Sequence, residues 1–195
     1  MQSENFSEHN SLQFIEAMIN RAKNKFSENG TLYLLWGYVI LICCLSQFIL
    51  RHFFNIEKTY YVWLPTWLVV IYQIIYLKRK RKTRQIRTYT ADIIGFVWMV
   101  FGISLFLVLF ILQYNKAMLS VNPLILVLYG MPTFLSGSIL KFKPLIIGGI
   151  CCWILAVFSP FIEYEYQFLL LCAAVTAAWI IPGHLLRIQF KKQLK

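Results

Sequence analysis

The segment IIGFVWMVFGISLFLVLFIL, which forms residues 93–112, decides the fold class of this chain. Its 20 residues include no Asp, Glu, Lys or Arg. A helix of this length rises about 30 Å, which is the thickness of the hydrocarbon core of a bilayer. Within that core the backbone satisfies its hydrogen bonds only as a helix or a closed barrel, and the alternating pattern of a barrel strand is absent here. The segment therefore predicts a transmembrane helix.

Five further segments share this composition. They are 18–21 residues long and also lack Asp, Glu, Lys and Arg: 31–50, 60–77, 123–140, 144–161 and 166–186. The chain has 195 residues, of which 59% are hydrophobic and only 14% charged, which excludes an ordinary soluble domain. We predict an all-α fold: a polytopic six-helix transmembrane bundle in residues 31–186, an N-terminal amphipathic helix in residues 1–30 and a basic tail in residues 187–195.

The Lys and Arg residues are distributed unequally between the two ends of this bundle. Of the 19, 16 lie in the N-terminal segment, in the loops after the second and fourth spans, and in the tail. The opposite end holds only Arg51, Lys58 and Lys116. Short loops rich in Lys and Arg stay on the cytoplasmic side of a membrane. We therefore predict that the N-terminus and the C-terminus are both cytoplasmic.

The loop between the second and third spans carries the largest share of this charge, seven of the 16 basic residues. Basic residues near anionic lipid headgroups gain about 1 kcal/mol each, so the loop is predicted to lie along the inner leaflet. Nucleic acid is not predicted as a partner, because no recognition fold accompanies the basic residues. The predicted headgroup contacts are Lys78, Arg79, Lys80, Arg81, Lys82, Arg84 and Arg87.

Residues with catalytic or metal-binding chemistry are scarce. The five cysteines all fall inside predicted spans, and none has the spacing of a zinc site. No ionisable residue lies deep in a span, so the usual relay of a proton- or sodium-coupled transporter is missing. The sequence predicts no catalytic residue, no cofactor and no metal.

The fourth span contains a proline near its middle. Pro132 cannot donate to the carbonyl of Leu128, so we expect a kink and a freed carbonyl there. Hydroxyl groups fall at comparable depth at Ser104, Thr133 and Thr176. Together with Leu128 they form a candidate ligand pocket, and the alternative is that these residues only pack. A pocket here would suit a small-solute transporter or an oligomeric channel.

A very short turn joins the fourth span to the fifth. Only Lys141, Phe142 and Lys143 separate them, so the two helices are predicted to run antiparallel and in contact. Gly137 precedes the turn, and Gly148 and Gly149 follow it at matched depth. Small residues let membrane helices approach closely. This pair is therefore predicted to be the tightest in the bundle.

The N-terminal segment has the spacing of an amphipathic helix. Apolar residues recur there at three- and four-residue steps. Such a face either rests on the inner leaflet or docks onto a partner protein or a second protomer. The predicted docking residues are Leu12, Ile15, Met18, Ile19, Ala22 and Phe26.

Two stretches carry a resemblance to known proteins. Residues 136–149, SGSILKFKPLIIGG, and residues 180–186, IIPGHLL, resemble an uncharacterised family of small six-span bacterial inner-membrane proteins. The resemblance implies location in a bacterial inner membrane, and it implies no activity, cofactor or catalytic residue. On this basis we rank an interaction or regulatory role first and transport second.

A second resemblance is more remote. Rhomboid intramembrane proteases have six spans with a serine on the fourth and a histidine on the sixth, and this chain is similar in having Ser136 or Ser138 and His184. Neither of these serines stands in the Gly-x-Ser motif of that family. An intramembrane serine protease is therefore the third hypothesis, and we do not expect an enzyme.

Overall fold

The computed structural model describes residues 30–54, 56, 59–83 and 89–193, and the regular elements within them are all helical. Six helical spans are long and apolar enough to cross a membrane, which is the architecture of a multi-pass membrane protein. The all-α six-span prediction is confirmed for these residues. The α-helices are α1 (Thr31–His52), α2 (Leu64–Thr83), α3 (Tyr89–Tyr114), α4 (Val121–Ile139), α5 (Lys143–Phe158), α6 (Gln167–Val175) and α7 (Ile181–Gln193).

Short helical turns complete three of the spans. A 3-10 turn, Thr59–Trp63, leads into α2, and Met118–Ser120 leads into α4. A third, Ser159–Phe161, follows α5. The sixth span consists of α6, a π-helical turn at Thr176–Ile180, and α7. We call this composite helix span six.

Span six departs from the sequence prediction at its C-terminal half. It continues to Gln193, well past the predicted end at residue 186. Pro182 cannot donate to the carbonyl of Ala178, and its ring crowds that carbonyl. The helix widens just before this proline, where the Ile181 N–H bonds to the Thr176 carbonyl five residues earlier. The π turn thus accommodates Pro182 without ending the helix, and residue 184 lies inside a helix.

Helices α4 and α5 make the most extensive helix contact in the described chain, as the short turn predicts. A Cβ added to Gly137 would lie 2.7 Å from the Ile146 nitrogen, and one added to Gly149 would lie 2.8 Å from the Phe134 Cβ. Gly148 faces the other way, where a Cβ would lie 2.6 Å from the Cα of Ala178. Adjacent glycines therefore bring α5 against α4 on one side and against span six on the other.

Two helix ends are closed by lysines in a conformation that glycine usually adopts. Lys116 and Lys141 have φ values of 54° and 53°. After each lysine the chain bonds back to the helix, with the Ala117 N–H to the Leu112 carbonyl at 2.9 Å and the Phe142 N–H to the Gly137 carbonyl at 2.8 Å. These are Schellman ends, which satisfy carbonyls that the helix leaves free.

The six spans do not share the core equally. Half of the most apolar stretch of span six is buried, and α1, α4 and α5 bury 39, 44 and 33% of theirs. The second span buries none of its apolar stretch, and the third buries 6%. Four spans therefore form the packed core, while α2 and α3 lie at its edge.

An aromatic cluster attaches α3 to this core. The Trp98 ring of α3 lies 5.8 Å from the Trp179 ring of span six and 5.6 Å from the Tyr33 ring of α1. Phe101 of α3 lies 5.9 Å from Tyr129 of α4, whose ring is 4.6 Å from Trp179. Aromatic pairs of this kind contribute about 0.5–1.5 kcal/mol each beyond the area they bury. Trp179 makes ring contacts with both α3 and α4, and it is the centre of the cluster.

Candidate functional site

A groove runs between α3 and α4 and contains part of the predicted pocket. Its volume is about 370 Å³. Ser104 of α3 and Leu128 of α4 both line it, and Pro132 lies on the same face of α4. The other lining residues are apolar: Ile93, Phe96, Val97, Val100, Phe101, Met131 and Leu135.

The groove opens at the outer surface of the bundle. Phe96 and Val100 are each 61% exposed, and Met131 and Leu135 are each 47% exposed. In a membrane, this surface faces lipid chains. Ser104 is the one residue with a polar side chain in a lining that is otherwise apolar.

Thr133 does not line this groove. Its side chain is fully buried, and its hydroxyl donates to the Tyr129 carbonyl at 2.7 Å. The same hydroxyl oxygen accepts the indole N–H of Trp179 at 2.9 Å. Because both bonds are internal, the hydroxyl joins α4 to span six and is already occupied.

Thr176 is likewise bonded within its own helix. Its hydroxyl donates to the Cys172 carbonyl at 2.7 Å, at the start of the π turn. A threonine in an apolar helix commonly bonds in this way to the carbonyl four residues earlier. The structure thus brings Ser104 and Leu128 into one groove and leaves Thr133 and Thr176 outside its lining.

Helix α4 continues through Pro132, with helical residues on both sides. The indole of Trp153, on α5, packs against Gly130, where an added Cβ would clash with the indole ring. The Trp153 N–H donates to the Val127 carbonyl at 3.3 Å. An α5 side chain therefore bonds to the α4 backbone one turn before the proline.

The serines and the histidine that suggested a protease have other partners or none. His184 bonds through Nε2 to the Tyr38 hydroxyl at 2.8 Å. The Ser138 hydroxyl donates to the Phe134 carbonyl at 3.0 Å. The buried Ser136 hydroxyl has no hydrogen-bond partner in the part of the chain that is described. The described side chains thus pair His184 with a tyrosine of α1.

Five of the seven basic residues predicted to contact lipid headgroups belong to the described part of the chain, and they lie at one end of the bundle. Lys78 and Arg79 are exposed near the end of α2. Lys80, Arg81 and Lys82 continue the same helix. Arg84 and Arg87 lie outside the described residues. So do the predicted docking residues of the N-terminal segment: Leu12, Ile15, Met18, Ile19, Ala22 and Phe26.

The opposite end of the bundle carries an ionic cluster that the sequence reasoning missed. Glu165 lies 3.6 Å from Arg51 Nε and 3.3 Å from His52 Nδ1. The Arg51 guanidinium lies 4.8 Å from the centre of the Tyr164 ring. Burial raises the pKa of the Tyr164 phenol, and Arg51 lowers it by less. The signal in the sequence was the opposite charges at the end of the first span and just before the sixth, which lie at the same end of the bundle.

This cluster links the end of α1 to the loop before span six. Its members are about one-third exposed, and exposed ion pairs contribute about 0–1 kcal/mol. Its role is therefore to position two helix ends.

The side chains described above pack against one another or line an apolar groove. The described residues contain no group of three or more His, Cys, Asp or Glu side chains that could hold a metal ion. The cavity that contains two of the predicted ligand residues is lined mainly by aliphatic and aromatic side chains. No family model matches the chain, and neither a curated protein nor a solved structure is significantly similar to it.

Proposed function

We propose that this chain is a non-enzymatic interaction or regulatory protein of a bacterial inner membrane, whose partner packs against α2 within the bilayer. The unequal burial of the spans carries this proposal. The second span buries none of its most apolar stretch, whereas each of the four core spans buries a third or more. Membrane helices associate through close side-chain packing and interhelical hydrogen bonds. Helix α2 has most of its surface free for such packing.

The attachment of α2 to its own chain is also slight. The Trp36 indole of α1 donates to the Gln73 side chain on α2. In the 3-10 turn that leads into α2, the Val62 carbonyl accepts from the Cys43 thiol at 3.3 Å, and the Trp63 indole donates to the Gln47 side chain of α1. These contacts hold one side of α2 against α1. Its opposite side carries large exposed apolar residues, with Leu68 70% exposed and Ile71 55% exposed.

Crosslinking in native membranes tests this proposal. A photoactivatable phenylalanine analogue at Leu68 or Ile71 should give a discrete protein adduct. Matched controls are Ile147 and Ile154 of α5, which are 60% and 51% exposed on a core helix. These positions should label lipid only. Equal protein adducts at α2 and α5, or none at α2, would overturn the proposal.

The N-terminal segment is the second proposed docking element, on the basis of its amphipathic pattern alone. Its apolar residues would occupy a groove on a cytoplasmic part of the partner. Ile15→Asp with Ile19→Asp should abolish the α2 crosslink to this partner while membrane insertion persists. Asn20→Asp with Asn24→Asp on the polar face is the charge-matched control. An unchanged crosslink in the first double variant would remove the segment from the docking surface.

The orientation of the bundle is a separate prediction. Reporters placed in the loop at residues 78–87 and after Lys195 should be active on the cytoplasmic side, and a reporter at Asn115 should be active outside. The reason is the concentration of 16 of the 19 Lys and Arg residues at one end. An external signal from the residue 78–87 loop would mean that the bundle is inverted.

Small-solute transport is the second candidate, and the groove with Ser104 and Leu128 is the observation in its favour. Two observations weigh against a polar path across the bilayer. The groove opens sideways toward lipid, and the hydroxyls of Thr133 and Thr176 are bonded to backbone carbonyls. Solute flux into vesicles containing the purified protein, above that of protein-free vesicles, would favour this candidate.

A further inference from the structure

The groove between α3 and α4 has the length of one bilayer leaflet. Its α3 wall runs from Ile93 to Ser104, which is about 16 Å at 1.5 Å per helical residue. Half of a hydrocarbon core about 30 Å thick is 15 Å. Ile93 lies near the start of α3, so the groove occupies the leaflet next to the end of the bundle where α3 begins.

The volume of the groove decides which kind of molecule it can hold. A 16 Å length of helix about 10 Å across occupies about 1,250 Å³, which is more than three times the 370 Å³ of the groove. A methylene chain is about 4–5 Å across, because non-bonded carbons approach to about 3.5–4.0 Å. The same length of such a chain occupies about 200–310 Å³. The groove therefore has the volume for one acyl chain and cannot enclose a helix.

Positive charge surrounds the end of the bundle where the groove begins. Lys141 follows the groove residue Leu135 by six positions, and both Lys141 and Lys143 are exposed in the α4–α5 turn. Asp92 is the only acidic residue among the described residues at this end. The other Lys and Arg residues at this end whose side chains are described are Lys78, Arg79, Arg187, Lys191 and Lys192. The charge favours an anionic headgroup over a zwitterionic one.

We propose that the α3–α4 groove binds one acyl chain of an anionic phospholipid, whose headgroup lies at Lys141 and Lys143. The lining accounts for the chain, since all of its side chains except Ser104 are apolar. The lysines account for the charge of the headgroup. This site is independent of the partner surface on α2, because it is formed by α3 and α4 alone.

Photolabelling of the unsubstituted protein is the first test. The protein is reconstituted with phosphatidylglycerol that carries a diazirine near the end of one chain, and labelled peptides are mapped by mass spectrometry. Labels should concentrate in residues 93–104 and 128–135, at least fivefold over residues 147–157 on the lipid-facing side of α5. Equal labelling of the two regions would overturn the proposal.

Filling the groove is the second test. Val97→Phe with Val100→Phe places two rings in the groove, whereas Gly102→Phe places one ring on α3 where an added Cβ meets nothing within 4 Å. Native mass spectrometry after delipidation and addition of phosphatidylglycerol should show at least fivefold less bound lipid in the first variant and no change in the control. Equal retention in both would overturn the chain site. If the double variant does not fold, the photolabelling decides.

The headgroup is tested with two lipids. The unsubstituted protein should retain phosphatidylglycerol in preference to phosphatidylethanolamine, and Lys141→Asn with Lys143→Gln should remove that preference while a chain stays bound. Asparagine suits the left-handed conformation at residue 141. Equal retention of the two lipids by the unsubstituted protein would overturn the anionic headgroup.

Discussion

Gly149→Leu is expected to destabilise the protein by about 3 kcal/mol or more, the upper end of what overpacking costs. A Cβ at this position would already lie 2.9 Å from the Phe134 nitrogen and 3.0 Å from the Gly130 carbonyl oxygen. These are backbone atoms of α4 and cannot rotate aside, so the two helices must separate. The loss corresponds to a fall of about 6–12 °C in the melting temperature.

The chain provides a matched control for this substitution. Gly102 is also a glycine within a transmembrane helix, but an added Cβ there meets no atom within 4 Å. Gly102→Leu should therefore leave the melting temperature within about 2 °C of the original. Both variants can be compared in detergent by the loss of the monodisperse peak in size-exclusion chromatography after heating. Similar melting of the two variants would contradict the close packing of α4 against α5.

Trp179→Ala is expected to have the other large effect. Truncation of a buried tryptophan costs about 3–5 kcal/mol. Here it also removes the ring contacts to Trp98 and Tyr129 and the donor to the Thr133 hydroxyl. Since Trp98 belongs to α3, we expect α3 to loosen from the core first. Faster hydrogen exchange in α3 than in α5, together with a melting temperature lower by about 10 °C, would show this.

Milder variants separate the packing of Trp179 from its hydrogen bond. Trp179→Phe keeps an aromatic ring but loses the indole N–H. Besides the effect of the smaller ring, it should lower the free energy of unfolding by about 1 kcal/mol, the net value of one hydrogen bond. Thr133→Val leaves the indole N–H buried without an acceptor and should cost about 1–3 kcal/mol. Thr133→Ser keeps the oxygen and should be close to neutral. A stable Thr133→Val variant that loses solute uptake would instead assign Thr133 to a ligand.

The core of the bundle is tightly packed, whereas the surface of α2 is nearly free. Glycines bring α5 within backbone contact of α4 and span six, so the core has little room to rearrange. The exposed surface of α2 can therefore be covered by a partner without a change in the core. This arrangement suits a protein that presents a fixed intramembrane surface.

The spans themselves could be predicted from the sequence, because each is a run of apolar residues long enough to cross a bilayer. The contact between α4 and α5 could also be predicted, since a connection of three residues requires the two helices to run antiparallel and in contact. Gly137 and Gly149 were the visible signs of that contact, whereas Gly148 faces span six. Both conclusions depend only on local composition and on the length of a segment or connection, and these can be read directly from the sequence.

The tertiary structure alone decided which polar residues face one another. Ser104, Leu128, Thr133 and Thr176 have similar depth in the sequence, but depth does not fix the rotation of a helix about its axis. Thr133 points to Trp179 across 46 residues of chain, while Ser104 lies in a groove with Leu128. The unequal burial of the spans was also invisible, because lipid and protein interior accept the same apolar side chains. The sequence of a membrane span therefore predicts that it crosses the bilayer. Which helices it contacts is known only from the tertiary structure.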